Sequence, residues 1–274
     1  MKEITIDVWA IVSELIKRAP GLLIDRNSFL KNVFSDKLSK EQLESLIIEG
    51  NYQDLPIEIL DSVADTCISK TRLQTSSASF LAGLPSSLPA FPATVTADVT
   101  QSFAFYIRIA QQLAYIYGEA SDFATMKDED RMTKILLYIG AMFGIETASQ
   151  VLVLISKNAG EILSKKFGKV AVTKVLKGIP WKVAQTIAKL LGIKLTKEVA
   201  QKGITKVLPV LGGIVSGVVT YSTFGPMARK LQKSLRSSIQ TTKEDVFEIY
   251  ETISSENDDE ITASVNKSVD KILS

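Results

Sequence analysis

Between residues 93 and 118 apolar side chains occupy every face of a potential helix. Val99, Phe103, Phe105, Tyr106, Ile107, Ile109, Leu113, Ile116 and Tyr117 leave no broad polar stripe. A helix of that kind has to be enclosed by other elements. Pro85, Pro89 and Pro92 forbid one regular helix in the serine-rich stretch ahead of it, and Gly118 is its natural stop. The enclosing elements also read as helices, because no segment shows the two-residue alternation of a half-buried strand. The expected fold is therefore all-α: a multi-helix bundle with buried apolar, glycine-rich helices.

Val8, Ile11, Val12, Leu15 and Ile16 follow helical spacing up to the breaker pair Pro20-Gly21. Ser28 is a candidate cap for a short helix over 29–34, and Ser39-Lys40-Glu41-Gln42 has the capping-box pattern. A helix over 57–73 puts Cys67 on its apolar side, where a small core residue belongs. Asp128-Glu129-Asp130 suit the first turn of a helix expected to run on to Ser156. Further helices are expected over 161–176, 181–191, 196–207 and 214–235, and two amphipathic patterns fill the tail. The chain divides into an N-terminal helical region (1–72), a helical core (73–240) and an acidic helical tail (241–274).

Charge is segregated although the formal net charge is only +2. Residues 157–240 hold sixteen Lys or Arg against Glu161 and Glu198, while 241–274 hold nine acids against three lysines. Lys165, Lys166, Lys169, Lys174, Lys177 and Lys182 are candidates for an anionic lipid surface, each worth on the order of 1 kcal/mol there. A solvated helical surface accounts for the same lysines equally well. Nucleic acid is disfavoured, since no arginine precedes Arg229 in the block and Phe167 and Trp181 are its only aromatics up to Lys206. Val207–Ala228 is uncharged, and its 22 residues would reach about 33 Å as one helix. Lys206, Arg229 and Lys230 flank it. A membrane span, an interfacial segment and a buried core helix all fit. Gly140 with Gly144, and Gly213 with Gly217, form four-residue ladders suited to close helix contacts.

Candidate chemistry is sparse. The chain has no histidine and one cysteine, which removes the usual general base, the common zinc ligand and an internal disulfide. No phosphate-binding loop or dinucleotide fingerprint occurs. No cofactor or metal is expected, and the reading leans away from an enzyme. Asp98, Arg108 and Glu146 interrupt apolar stretches and are expected to be buried polar groups with partners elsewhere. Asp7 and Glu14 break any secretory apolar run, so a cytoplasmic protein is expected.

Several motifs in fixed order resemble the EcsC family. They are Gly83-Leu84-Pro85 leading into the apolar helix that ends Ala114-Tyr115-Ile116-Tyr117-Gly118, then the acidic lead into Arg131-Met132. Leu208-Pro209-Val210-Leu211-Gly212-Gly213 and the stretch to Gly225-Pro226-Met227 complete the set. The resemblance covers roughly residues 70–240 and implies association with an ABC-type exporter context, without a catalytic signature to transfer. The expectation is a non-enzymatic, peripheral membrane protein with an anionic membrane surface and a membrane-embedded or secretion-related partner. The alternative is a carrier or enzyme holding an apolar molecule in an internal pocket near Phe103, Tyr106, Tyr138 and Phe143.

Overall fold

The computed structural model of the chain describes residues 4–5, 8–48, 50, 52, 55–75, 97–190, 194–195 and 217–255. Its helices are α1 (Val8–Arg18), α2 (Arg26–Phe34), α3 (Lys40–Ile48), α4 (Ile57–Thr75), α5 (Ala97–Ile116) and α6 (Asp128–Phe143), followed by α7 (Glu146–Leu154), α8 (Lys157–Phe167), α9 (Lys169–Leu176) and α10 (Ile179–Leu190). After these come α11 (Gly217–Gln240) and α12 (Lys243–Ser255). Ile4–Thr5 pairs antiparallel with Lys194–Leu195 over two residues only, too short to change the all-α class.

The apolar helix is central, as its pattern requires. From Ser102 to Tyr117 α5 is buried except at Arg108 and Gln112, and it contacts α1, α2, α4, α6 and α11. The five apolar positions of α1 are all buried, and Val246, Tyr250 and Ile253 of α12 join the same contiguous core. Each large apolar side chain so buried contributes about 1.5–3 kcal/mol relative to exposure. Cys67 sits in that core, where burial pushes its thiol up to about 11.

Local signals set most helix starts. The Ser39 and Gln42 box closes, Gln42 N donating to Ser39 Oγ at 3.2 Å and Ser39 N to Gln42 Oε1 at 3.0 Å. At α2 the cap is Asp25 rather than Ser28: Ser28 N donates to Asp25 Oδ1 at 2.7 Å. The Ser28 bonds hold that carboxyl below its ordinary value. A carboxylate outcompetes the serine because its hydrogen bond is charge-assisted.

Two expected helices are each broken by a glycine. The helix foreseen from 132 to 156 stops at Phe143, where Gly144 adopts φ +81°. Ile145 N donates to Gly140 O at 3.0 Å and Gly144 N to Ala141 O at 3.0 Å, a Schellman end. Gly144 is thus a helix stop, and the contact it makes is with the Lys230 side chain of α11, whose Nζ would lie 2.9 Å from a Cβ there. Gly140 does make a close contact. A Cβ there would lie 2.5 Å from Val183 Cγ1 and 2.8 Å from Ala148 Cβ. Gly168, at φ +82°, likewise divides the segment foreseen over 161–176 into α8 and α9. The described end of the apolar run 207–228 is core, with Phe224 and Ala228 fully buried on α11. Expectations for 76–96, 196–216 (including Gly213) and 256–274, and for the side chains of Asp98 and Lys174 and the surroundings of Gly217, lie outside the described residues.

These roles predict different responses. Gly140→Leu overpacks the α6, α7 and α10 junction and is expected to cost about 1–3 kcal/mol. Gly144→Ala forces an L-residue into left-handed backbone and should cost about 1–2 kcal/mol. Urea denaturation of both variants checks this, and an unchanged midpoint for Gly140→Leu would refute the close contact.

Candidate functional site

Two regions carry the candidate chemistry: an open cleft and the basic helices α8–α10. The cleft, about 880 Å³ in volume, lies where the C-terminal end of α5, α6, the junction of α7 and α8, the end of α11 and the start of α4 meet. Sequence reading expected a pocket near Phe103, Tyr106, Tyr138 and Phe143, and of these four only Tyr138 lines this cleft. Phe103, Tyr106 and Phe143 pack on one another, with Tyr106 edge-on to both at 5.8 Å and stacked on Phe224 at 6.4 Å. Tyr138 stands apart from them and lines the cleft.

The cleft floor begins where α5 stops. Gly118, at φ +104°, allows a second Schellman end in which Glu119 N donates to Ala114 O at 2.8 Å. The turn aims the Glu119 carboxylate at α6. There Lys134 Nζ pairs with Glu119 Oε2, and Tyr138 Oη donates to the same oxygen at 3.1 Å. Burial first, and the neighbouring Glu119 charge second, drive the Tyr138 hydroxyl well above its ordinary pKa. Tyr52 covers Gly118, its ring 3.5 Å from where a Cβ would sit, and donates from its hydroxyl to Tyr115 O. Burial pushes Tyr52 up to about 12. Both hydroxyls donate to fixed acceptors and are not bases at neutral pH.

The loop 119–127 is held from both sides by buried cations. Arg131 donates from Nε to Phe123 O at 2.5 Å, reaches the Ala124 and Met126 carbonyls, and pairs with Asp128 at 2.6 Å. Arg26 donates from Nε to Glu119 O at 3.0 Å and from its terminal nitrogens to the last carbonyls of α3, Leu46 and Ile47. Phe123 N donates to the Tyr115 hydroxyl at 2.9 Å, and Asp122 accepts from Arg26 N and Ala124 N. Arg131, Lys134 and Tyr138 share one face of α6 at spacings of three and four. That periodic polar face in an apolar helix was the available signal for this site.

The other sequence candidates fall elsewhere. Lys165, Lys166, Lys169 and Lys177 are exposed, and Lys182 is half-buried. Lys166 is engaged by the tail: its Nζ lies 3.7 Å from Glu251 and 3.7 Å from the Phe247 ring centre. Beside it, Phe167 stacks on Tyr250 at 4.4 Å. Arg229 is drawn to Asp65 at 2.8 Å, and Lys230 lies against the Gly144 helix stop. Arg108 is half-buried, and burial lowers its pKa. Glu146 corrects the expectation of a buried group. Once Gly144 ends α6, Glu146 opens α7 as an exposed first-turn acid, where the helix dipole favours it.

Among the described residues no cluster of His, Cys, Asp or Glu is suited to a metal, and no helix is long and apolar enough to cross a membrane. No protein family, no curated protein and no solved structure matches this chain.

Lys134→Met leaves the Glu119 carboxylate with Tyr138 as its charge-directed neighbour in a partly dry site. The expected loss is about 1–3 kcal/mol at pH 7. Urea melts of both proteins at pH 7 check this, and an unchanged midpoint would refute a contribution from the ion pair.

Proposed function

We propose that this is a helical protein of the EcsC type that works at the cytoplasmic face of an anionic membrane. It attaches peripherally through α8–α10 and meets a membrane-embedded, secretion-related partner there. No chemical step is assigned to it. One observation carries the reading. Residues 157–190 contain eight lysines and a single acid, Glu161, and the same helices leave Val170 83% and Trp181 50% exposed. Lysines supply attraction to anionic head groups. An exposed tryptophan and valine supply shallow apolar insertion, which distinguishes an interfacial surface from one that is merely solvated.

The tail bears on the same surface. Helix α12 buries three apolar side chains in the core, so it completes the fold. It also places Glu251 beside Lys166 and so subtracts from the basic field.

Lys165→Glu, Lys169→Glu and Lys177→Glu together should abolish sedimentation with anionic vesicles, and high salt should imitate the change by screening. Trp181→Ser should weaken binding with little change in salt dependence. Glu251→Gln should strengthen it. Equal binding to neutral vesicles, or indifference to salt, would overturn the membrane reading.

A further inference from the structure

We propose that the cleft between α4, α6, α7, α8 and α11 binds a single-chain amphiphile with an anionic head group, of the acyl carboxylate class. The open cleft, about 880 Å³ in volume, has the dimensions of a small-molecule site. It divides into an apolar wall and a charged rim. Leu60, Leu152, Ile155, Leu235 and Ile239 come from three helices and the turn after α7 to form the wall. Lys157 stands exposed at the rim, on the first turn of α8.

Charge then selects the head group. Among the described residues, the charged ones lining the cleft are Glu119, Lys134 and Lys157, two cations and one anion. Lys134 is already committed to Glu119, and Tyr138 donates to that same carboxylate. A cationic ligand would have to compete with both partners for Glu119. An anion meets no such competition at Lys157, and the chain behind it lies along the apolar wall. This site does not rest on the membrane reading: Lys157 is one of the eight lysines counted there, but the vesicle test changes Lys165, Lys169 and Lys177 and leaves Lys157 and Ile239 intact.

The test is calorimetric titration of the full chain with dodecanoate below its micellar range, with dodecyltrimethylammonium as the cationic control. Saturable binding of one dodecanoate per chain is expected, with the ammonium compound binding at least about tenfold more weakly. Lys157→Glu at the exposed rim should weaken dodecanoate about fivefold to tenfold. Ile239→Trp fills the wall and should eliminate binding while the fold is retained. If that variant does not fold, Ser238→Phe on the same helix carries the test. Absence of saturable binding, equal affinity for the cationic amphiphile, or full affinity after the wall is filled would each overturn the proposal. Loss of vesicle binding in the lysine reversals on α8–α10, with dodecanoate binding intact, would separate the two readings.

Discussion

A helix buried on every side can carry polar groups only where its neighbours supply matching ones. In α5 that requirement organises much of the molecule. Gln111 is fully buried, and both its donors and its carbonyl oxygen are directed at fixed partners. Its Oε1 accepts from Ile24 N, and its Nε2 donates to Leu22 O and Ile107 O, each at 3.0 Å. The segment between α1 and α2 is thereby fastened across α5. Tyr117 donates to Asp61 Oδ1 at 2.6 Å, and Gln232 Nε2 reaches both Tyr117 Oη and Asp65 Oδ1 at 3.2 Å. Through those bonds α4 and α11 are fixed to the same helix. Leaving the buried Gln111, Tyr117 or Gln232 group without its partner would cost about 1–3 kcal/mol. That penalty gives a largely apolar contact surface a defined register.

Where sequence periodicity spanned a whole helix, the architecture was legible. The five apolar positions of α1, the all-round burial of α5, the capping box of α3 and the core position of Cys67 followed from spacing alone. Errors arose where one residue type had two physical uses. Gly140 and Gly144 have the same spacing as a packing ladder, yet only backbone conformation separates a close contact from a left-handed stop. The stop at Gly144 then turned Glu146 from a mid-helix acid into an exposed first-turn one. The cleft was less legible still. Its floor is assembled from a turn after α5, a face of α6 and segments more than a hundred residues away in sequence. Composition and local pattern do not encode that meeting, although the spacing of Arg131, Lys134 and Tyr138 hinted at a polar face.

The basic residues that looked alike in sequence are separated by their neighbours. Arg229 and Arg236 face Asp65 and Asp61 across α4 and α11, at 2.8 and 2.9 Å. These planar guanidiniums belong to the internal bookkeeping of charge, a use to which arginine's several fixed donors are suited. The lysines of α8–α10 have almost no acids within their own segment. A flexible ammonium in water gains little from a single fixed partner, so the scarcity of acids in that segment costs the fold little. The same scarcity leaves the field of the exposed Lys165, Lys169 and Lys177 to act outward. Arginines paired with acids of α4 and lysines in an acid-poor segment explain why the net charge of the chain conveys so little about its surface.

Helix α8 brings the separate arguments together. It is eleven residues long, about 16 Å end to end. Its first residue, Lys157, lines the cleft. Its last turn carries Lys165 and Lys166, the latter beside Glu251, and Phe167 stacks on Tyr250 of the tail. Ser156 fixes the start of the helix by accepting from Ala159 N, and Gly168 ends it. The cleft rim, the basic surface and the tail contact thus share one short element with defined ends. Helix α12 therefore packs on the same helix whose first residue borders the cleft.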